Sequence, residues 1–151
     1  MGVLGEDMSL SARYVVEFPF DRTVGPKIGT FLGGLREAKL YGVRTSDGTI
    51  LCPAHEFDPR TAEETGELVP LEDWGTVRAW TWVPTRPEDV IPHDFAWALI
   101  EIAGTTGALF HAVDAGGDIA QMSIGMRVRA RWRTDRVGDI RDIECFEPLP
   151  S

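Results

Sequence analysis

Two stretches of the chain divide residue by residue between two faces. In Gly75–Val83, Val77, Ala79, Thr81 and Val83 fall on one side and Arg78, Trp80 and Trp82 on the other. In Met126–Arg133, Met126, Val128, Ala130 and Trp132 alternate with Arg127, Arg129, Arg131 and Arg133. A period of two marks a strand with one face on a core, because successive Cβ atoms point to opposite sides. Between these stretches lie two apolar runs of strand length, Phe95–Ile102 (FAWALIEI) and Ala108–Val113, joined by a turn at Gly104–Gly107. A turn at Asp135–Gly138 leads into Asp139–Phe146, which closes a hairpin. Five short strands with a wide excursion in the middle and no strong helix predict a Greek-key barrel of the OB type over residues 74–148. An SH3-like barrel fits that excursion less well.

Upstream the period changes. Ile28, Phe31, Leu32 and Leu35 recur at helical spacing, Pro26 suits a first turn, and Thr23 or Gly25 can cap it. A helix over Pro26–Lys39, within residues 25–41, follows. The pair Gly33-Gly34 costs it roughly 2 kcal/mol relative to alanines, so its apolar stripe has to dock, either on the chain itself or on a partner subunit. Ahead of it, residues 1–12 read as a mobile leader, and 13–20 (RYVVEFPF) as an apolar extended segment interrupted by Pro19, within a leader region of 1–24. Residues 42–73 are rich in Gly, Pro, Asp and Thr, with one β-like run at Thr49–Cys52, and read as a turn-rich knuckle. Glu63, Glu64 and Glu67 there have no histidine or apolar pocket around them, which points to a solvated loop.

Charge narrows the function classes. Twenty-four acidic and 15 basic residues give a formal net charge of −9, which repels a polyanion and disfavours nucleic acid as a partner. Cys52 and Cys145 are too few for a disulfide framework and match no metal motif. The first residues lack a basic start followed by an apolar run, and no stretch approaches the ~20 apolar residues of a membrane span. The expected location is the cytoplasm.

Candidate chemistry is sparse. Arg78, Trp80 and Trp82 can stack on a ring or meet a partner, or the two tryptophans can simply cover the open end of the barrel. The arginine stripe 127/129/131/133 can meet a phosphate or a partner's acids, or pair across the hairpin with Asp139, Asp142 and Glu144. His111 alternates with Leu109 and Val113 and reads as a core histidine, whereas His93-Asp94 ends a Pro-rich loop where function concentrates. No nucleophile with a nearby base is evident, and neither glycine pair carries the Lys-Ser/Thr of a phosphate loop.

From Gly25 to Pro148 the chain resembles the bacterial and archaeal proteins that join an N-terminal helix and a rubredoxin-like zinc ribbon to a C-terminal OB-fold. The resemblance rests on the helix followed by Leu40-Tyr41-Gly42-Val43-Arg44, on Trp74-Gly75-Thr76-Val77-Arg78-Ala79-Trp80-Thr81, on Phe95-Ala96-Trp97-Ala98-Leu99-Ile100 and on Ile124-Gly125-Met126-Arg127-Val128. Where that family has C-x-x-C-G and C-P-x-C, this chain has Arg44 and Asp47 before Gly48, and Asp58 and Thr61 around Pro59. All four thiolates are missing, so no zinc is expected; an ion pair of Arg44 with Asp47 or Asp58 would hold the degenerate knuckle instead.

The resemblance implies a mainly β chain acting as a non-catalytic small subunit of a thiolase-like or lipid-transfer-type thiolase enzyme. That enzyme would work on acyl-CoA by thiolysis or retro-aldol cleavage, with steroid side-chain thioesters among the substrates. The chain would bind no cofactor of its own, with a coenzyme A thioester as the implied ligand. The residues expected to bind the partner or the acyl-CoA are Phe31, Leu35, Arg78, Trp80, Trp82, His93, Arg129 and Arg131. Alternatives are a single-stranded nucleic-acid-binding OB module and a free-standing acyl-CoA scaffold.

Overall fold

A computed structural model describes residues 11–21 and 23–150; most of the expected leader, residues 1–10, lies outside them. Among the described residues there is one α-helix, α1, spanning Pro26–Arg36. Its N-terminus has no local side-chain cap. The Glu56 carboxylate comes from the knuckle to accept hydrogen bonds from the Lys27 and Ile28 amides, at 2.8 and 3.1 Å. A Cβ on Gly25 would lie 2.1 Å from that carboxylate, so only glycine lets the cap approach. We expect Glu56→Ala to cost about 1 kcal/mol, the usual worth of an N-cap, read from the urea midpoint of the isolated chain.

The helix ends three residues before the expected Lys39. Ala38 reverses the chain at φ 57°, and the Glu37 and Lys39 amides both donate to the Gly34 carbonyl. Gly34 is buried against the Tyr41 ring, which a Cβ would meet at 2.7 Å. That packing is what the costly glycine provides.

The knuckle is a three-stranded antiparallel sheet of order β2-β1-β3, built from β1 (Leu40–Arg44), β2 (Ile50–Leu51) and β3 (Leu68–Leu71). The barrel follows as β4 (Trp74–Val83), β5 (Phe95–Ile102), β6 (Leu109–Val113), β7 (Arg127–Trp132) and β8 (Ile143–Pro148). It closes in the order β4-β5-β6-β8-β7, with β6 and β8 parallel and the other pairs antiparallel. This is the five-stranded mixed barrel of an OB-fold, and with the helix and knuckle it makes the chain mainly β. Among the described residues no helix is long and apolar enough to cross a membrane.

One core serves all three parts. Phe31 and Leu35 of α1, Leu40 and Val43 of β1, and Val77, Ile100, Val113, Val128 and Phe146 of the barrel belong to the same buried cluster. The docking question for the helical stripe is thus answered within the chain: Phe31 and Leu35 are 4 % and 0 % exposed.

Two expected patterns are corrected. The strict alternation of Gly75–Val83 is broken by a β-bulge between Val77 and Ala79, whose partners are the consecutive residues Ile100 and Leu99. The extra residue, Arg78, is exposed and paired with Glu101 at 2.6 Å. Beyond it the register of faces flips, because a bulge adds one residue to one strand only. Trp80 and Trp82 therefore pack, half-buried, against the core, while Ala79 and Thr81 are exposed. The last strand also starts later than Asp139. Asp139 caps a 3-10 turn at Ile140–Asp142, and the buried Asp142 carboxylate accepts from the Val137, Gly138 and Asp139 amides. Those three donors outweigh desolvation and hold its carboxyl below the usual range. Asp142 is committed to this turn and Asp139 to Arg141, so of the acids expected to pair with the arginine stripe only Glu144 does.

Candidate functional site

The outer face of β5 and β6 is apolar where a solvated strand would be polar. Inward positions Ala96, Ala98, Ile100 and Ile102 are buried in the barrel, yet three of the four outward ones are Phe95, Trp97 and Leu99, with Glu101 the fourth. Residues 84–94 fold over part of this face. Thr85 fixes that loop by donating from Oγ1 to the Ile91 carbonyl (2.7 Å) and from its amide to Asp94 (3.1 Å). Ile91 and Phe95 thereby form a second small core with Ala112 and Cys145. Beyond the loop the cover stops. Trp97 stacks on Phe110, with ring centroids 5.1 Å apart and planes at 15°, and Phe110 remains 58 % exposed.

A cavity of about 450 Å³ opens here, between residues 84–94 and residues 133–142. Its walls include Ile91, Trp97, Phe110, His111 and Ile140, with Arg86, Arg133 and Arg141 also among its lining. In OB-folds the face of the second and third strands, flanked by these two loops, is the usual ligand surface. His111 accepts the Ala112 amide on Nδ1 at 2.9 Å, so in the neutral ring Nε2 carries the proton. That N–H faces the Ile140 carbonyl, at 3.4 Å. Burial pushes the His111 pKa down, which keeps the ring neutral. A second cavity, of about 720 Å³, lies at Gln121–Arg127 and Pro148–Pro150 and carries no aromatic ring.

Beside the first cavity runs an ion-pair network. The Asp114 carboxylate, 13 % exposed, binds His93 Nε2 at 2.7 Å and Arg131 at 3.1 Å and accepts the Gly116 amide. Arg131 continues to Glu144 (2.6 Å) and Glu147 (3.2 Å). Burial opposes ionisation of Asp114, but His93, Gly116 and Arg131 together hold its carboxyl below the usual range. Likewise Arg131 stays charged because Glu144, Asp114 and Glu147 outweigh its partial burial.

Asp114 thus brings together two of the residues singled out in the sequence, His93 and Arg131. The others are scattered. Phe31 and Leu35 are interior, Trp80 and Trp82 line the core, Arg78 pairs with Glu101, and Arg129 pairs with Asp73 at 3.3 Å. Trp97, Phe110 and Asp114 were not anticipated. The available signal was FAWALIEI itself, apolar at both parities, which means that both faces of β5 are covered or sticky.

At the knuckle, three of the four positions of the missing thiolates, Arg44, Asp47 and Asp58, are tied up by ion pairs. Arg60, not Arg44, is the bridging cation: it binds Asp58 through two nitrogens (3.1 and 2.9 Å) and Asp47 at 3.2 Å. Arg44 turns instead to Glu67 at 3.0 Å. Among the described residues no group of three or more His, Cys, Asp or Glu side chains is placed to hold a metal. Cys52 is buried, and burial pushes its thiol up to about 12; Cys145 is likewise pushed up to about 12. A donor set of two carboxylates, already neutralised by a guanidinium, does not fit zinc.

Residues 68–133, from β3 through β7, match the family model for the ChsH2 C-terminal OB-fold domain. No curated protein matches the chain. Among solved structures, the chain is similar to a DUF35-family protein of unknown function from Sulfolobus solfataricus, at 21% identity and a TM-score of 0.57, over 70% of this chain and 78% of that one. It is also similar to a structure described as an Ltp2–ChsH2 (DUF35) aldolase, at 18% identity and a TM-score of 0.58, over 85% of this chain and 98% of that one. These likenesses establish the fold: residues 68–133 match the ChsH2 C-terminal OB-fold domain, and the chain has DUF35 structural neighbours.

Proposed function

We propose that this chain is a non-catalytic small subunit of a thiolase-superfamily enzyme that acts on acyl-CoA by thiolysis or retro-aldol cleavage. It stabilises the partner and helps shape its substrate channel, with bulky polycyclic acyl groups within reach. The observation that carries the reading is an apolar run held out from the body. Tyr14, Val15, Val16, Phe18 and Phe20 are each between 54 % and 88 % exposed. An apolar surface of this kind on a chain of net charge −9 is a protein-contact surface, and aromatic side chains are the favoured anchors of such contacts. Supporting it, one structural neighbour is described as an aldolase of two named proteins, Ltp2 and ChsH2. Both cysteines, with thiols pushed up to about 12, stay protonated at neutral pH and supply no nucleophile.

The half-exposed edges of Trp80 and Trp82, together with Arg78 and Arg129, are the barrel surface we assign to the same contact. Because both tryptophans also pack on the core, alanine there would cost barrel stability as well as affinity. The discriminating variant is therefore on the segment. Affinity capture with the full chain from its native host, followed by mass spectrometry, should recover a thiolase-superfamily protein in fixed proportion. Phe18→Ser with Phe20→Ser should reduce that recovery by about tenfold or more while leaving the melting temperature unchanged. A chain that captures no such protein, or a double variant that captures it undiminished, refutes the reading.

A further inference from the structure

We infer that the cavity between residues 84–94 and 133–142 is a binding site for a small planar ring carrying a single anionic group, of the class of fused-ring aryl carboxylates. The inference does not rest on the partner reading, since every group it uses belongs to this chain. Size comes first: about 450 Å³ lies in the range of small-molecule pockets. Next is the wall. The Trp97–Phe110 stack is a flat aromatic surface, and a third ring would extend it by offset stacking while covering the exposed Phe110.

The anionic group follows from which charges are already spent. Arg86 is closed by Glu88 and Asp89, and Arg141 by Asp139. Arg133 has no side-chain hydrogen bond or ion pair among the described residues, although acids outnumber basic residues in the chain by 24 to 15. A guanidinium beside an apolar cavity pairs with a planar carboxylate through two parallel hydrogen bonds.

Acidic side chains set the limit of one negative group. Glu88, Asp89 and Glu144 also line the cavity, and would repel any negative charge beyond the one that Arg133 neutralises. The prediction therefore separates an aryl carboxylate from a nucleotide or a nucleic-acid strand, which offer the same ring with more charge.

The test titrates 2-naphthoate into the isolated full chain and follows binding by calorimetry. Saturable one-to-one binding is expected. Arg133→Ala and Phe110→Ala should each weaken it by about tenfold, and neutral 2-naphthylmethanol should bind wild type about tenfold more weakly than the acid. Arg127→Ala, whose guanidinium lies over Trp74 outside this cavity, should leave binding unchanged. Melting temperatures of the surface variants check that each is folded. The inference is overturned if naphthoate does not bind at millimolar concentration, if Arg133→Ala and the neutral analogue change nothing, or if adenosine monophosphate or a short single-stranded oligonucleotide occupies the cavity more tightly than naphthoate.

Discussion

Replacing Leu35 with alanine should lower the unfolding free energy of the isolated chain by about 3 kcal/mol, within the range for a buried leucine cut back to alanine. Leu35 is fully buried and, with Phe31, belongs to the cluster that fills the barrel. The helix is accordingly a wall of the barrel core rather than a free arm. Urea unfolding of the variant should remain a single transition at a lower midpoint, since one cluster spans α1, β1 and the barrel. A residue reserved for a partner subunit would behave in the opposite way: the isolated chain would be unaffected and only the complex weakened. An unchanged midpoint for Leu35→Ala would detach the helix from the core and return Phe31 and Leu35 to the contact surface.

The same comparison shows which parts of the fold can be read from residue order. The strand at Arg127–Trp132 is legible because arginine alternates with apolar residues along it, and the run Phe95–Ile102 because it is eight residues long and apolar at all but one position. The bulge at Arg78 is not. Nothing in WGTVRAWTWV marks where one residue drops out of pairing, so the parity read before Val77 was carried past it and turned Trp80 and Trp82 the wrong way. The start of β8 failed for a related reason: Asp139 suits an extended strand by pattern, but its capping-box geometry with Asp142 is a turn device that competes with strand pairing.

The site was less legible than the fold because its parts are joined over long separations. His93 and Arg131 meet only through Asp114, and no sequence spacing reports that a closed barrel sets the ends of β6, β7 and β8 side by side. Glu56 capping a helix that begins at Pro26 is the same kind of contact, visible only after the knuckle has folded. Trp97 and Phe110 were obscured differently. Each sits in a run that reads as core, and only the loops reveal which face of the run is left open.

The largest local consequence falls on the knuckle. Arg60→Ala should lower the melting temperature by on the order of 5–10 °C, because Asp58, whose side chain is 3 % exposed, would keep its charge and lose its cation. Asp58→Asn in the same chain should recover part of that loss, since a buried amide needs hydrogen bonds but no counter-ion. Arg60 holds the Asp58 carboxyl below its usual range, and hydrogen bonds from Thr45 and Thr49 do the same for Asp47. A carboxyl depressed on folding contributes stability that is complete above its unfolded value of about 3.9 and fades as pH falls through the folded value. The native chain should therefore hold its melting temperature from pH 7 down to about 4 and lose it below. The Arg60→Ala curve should start lower and fall less steeply in that acid window. Neither zinc nor a chelator should move the native curve, because Arg44, Asp47, Asp58 and Thr61 present no thiolate and the two carboxylates already share the Arg60 guanidinium. A wild-type melting temperature that drops on chelation would show that a metal, and not Arg60, joins the two turns of the knuckle.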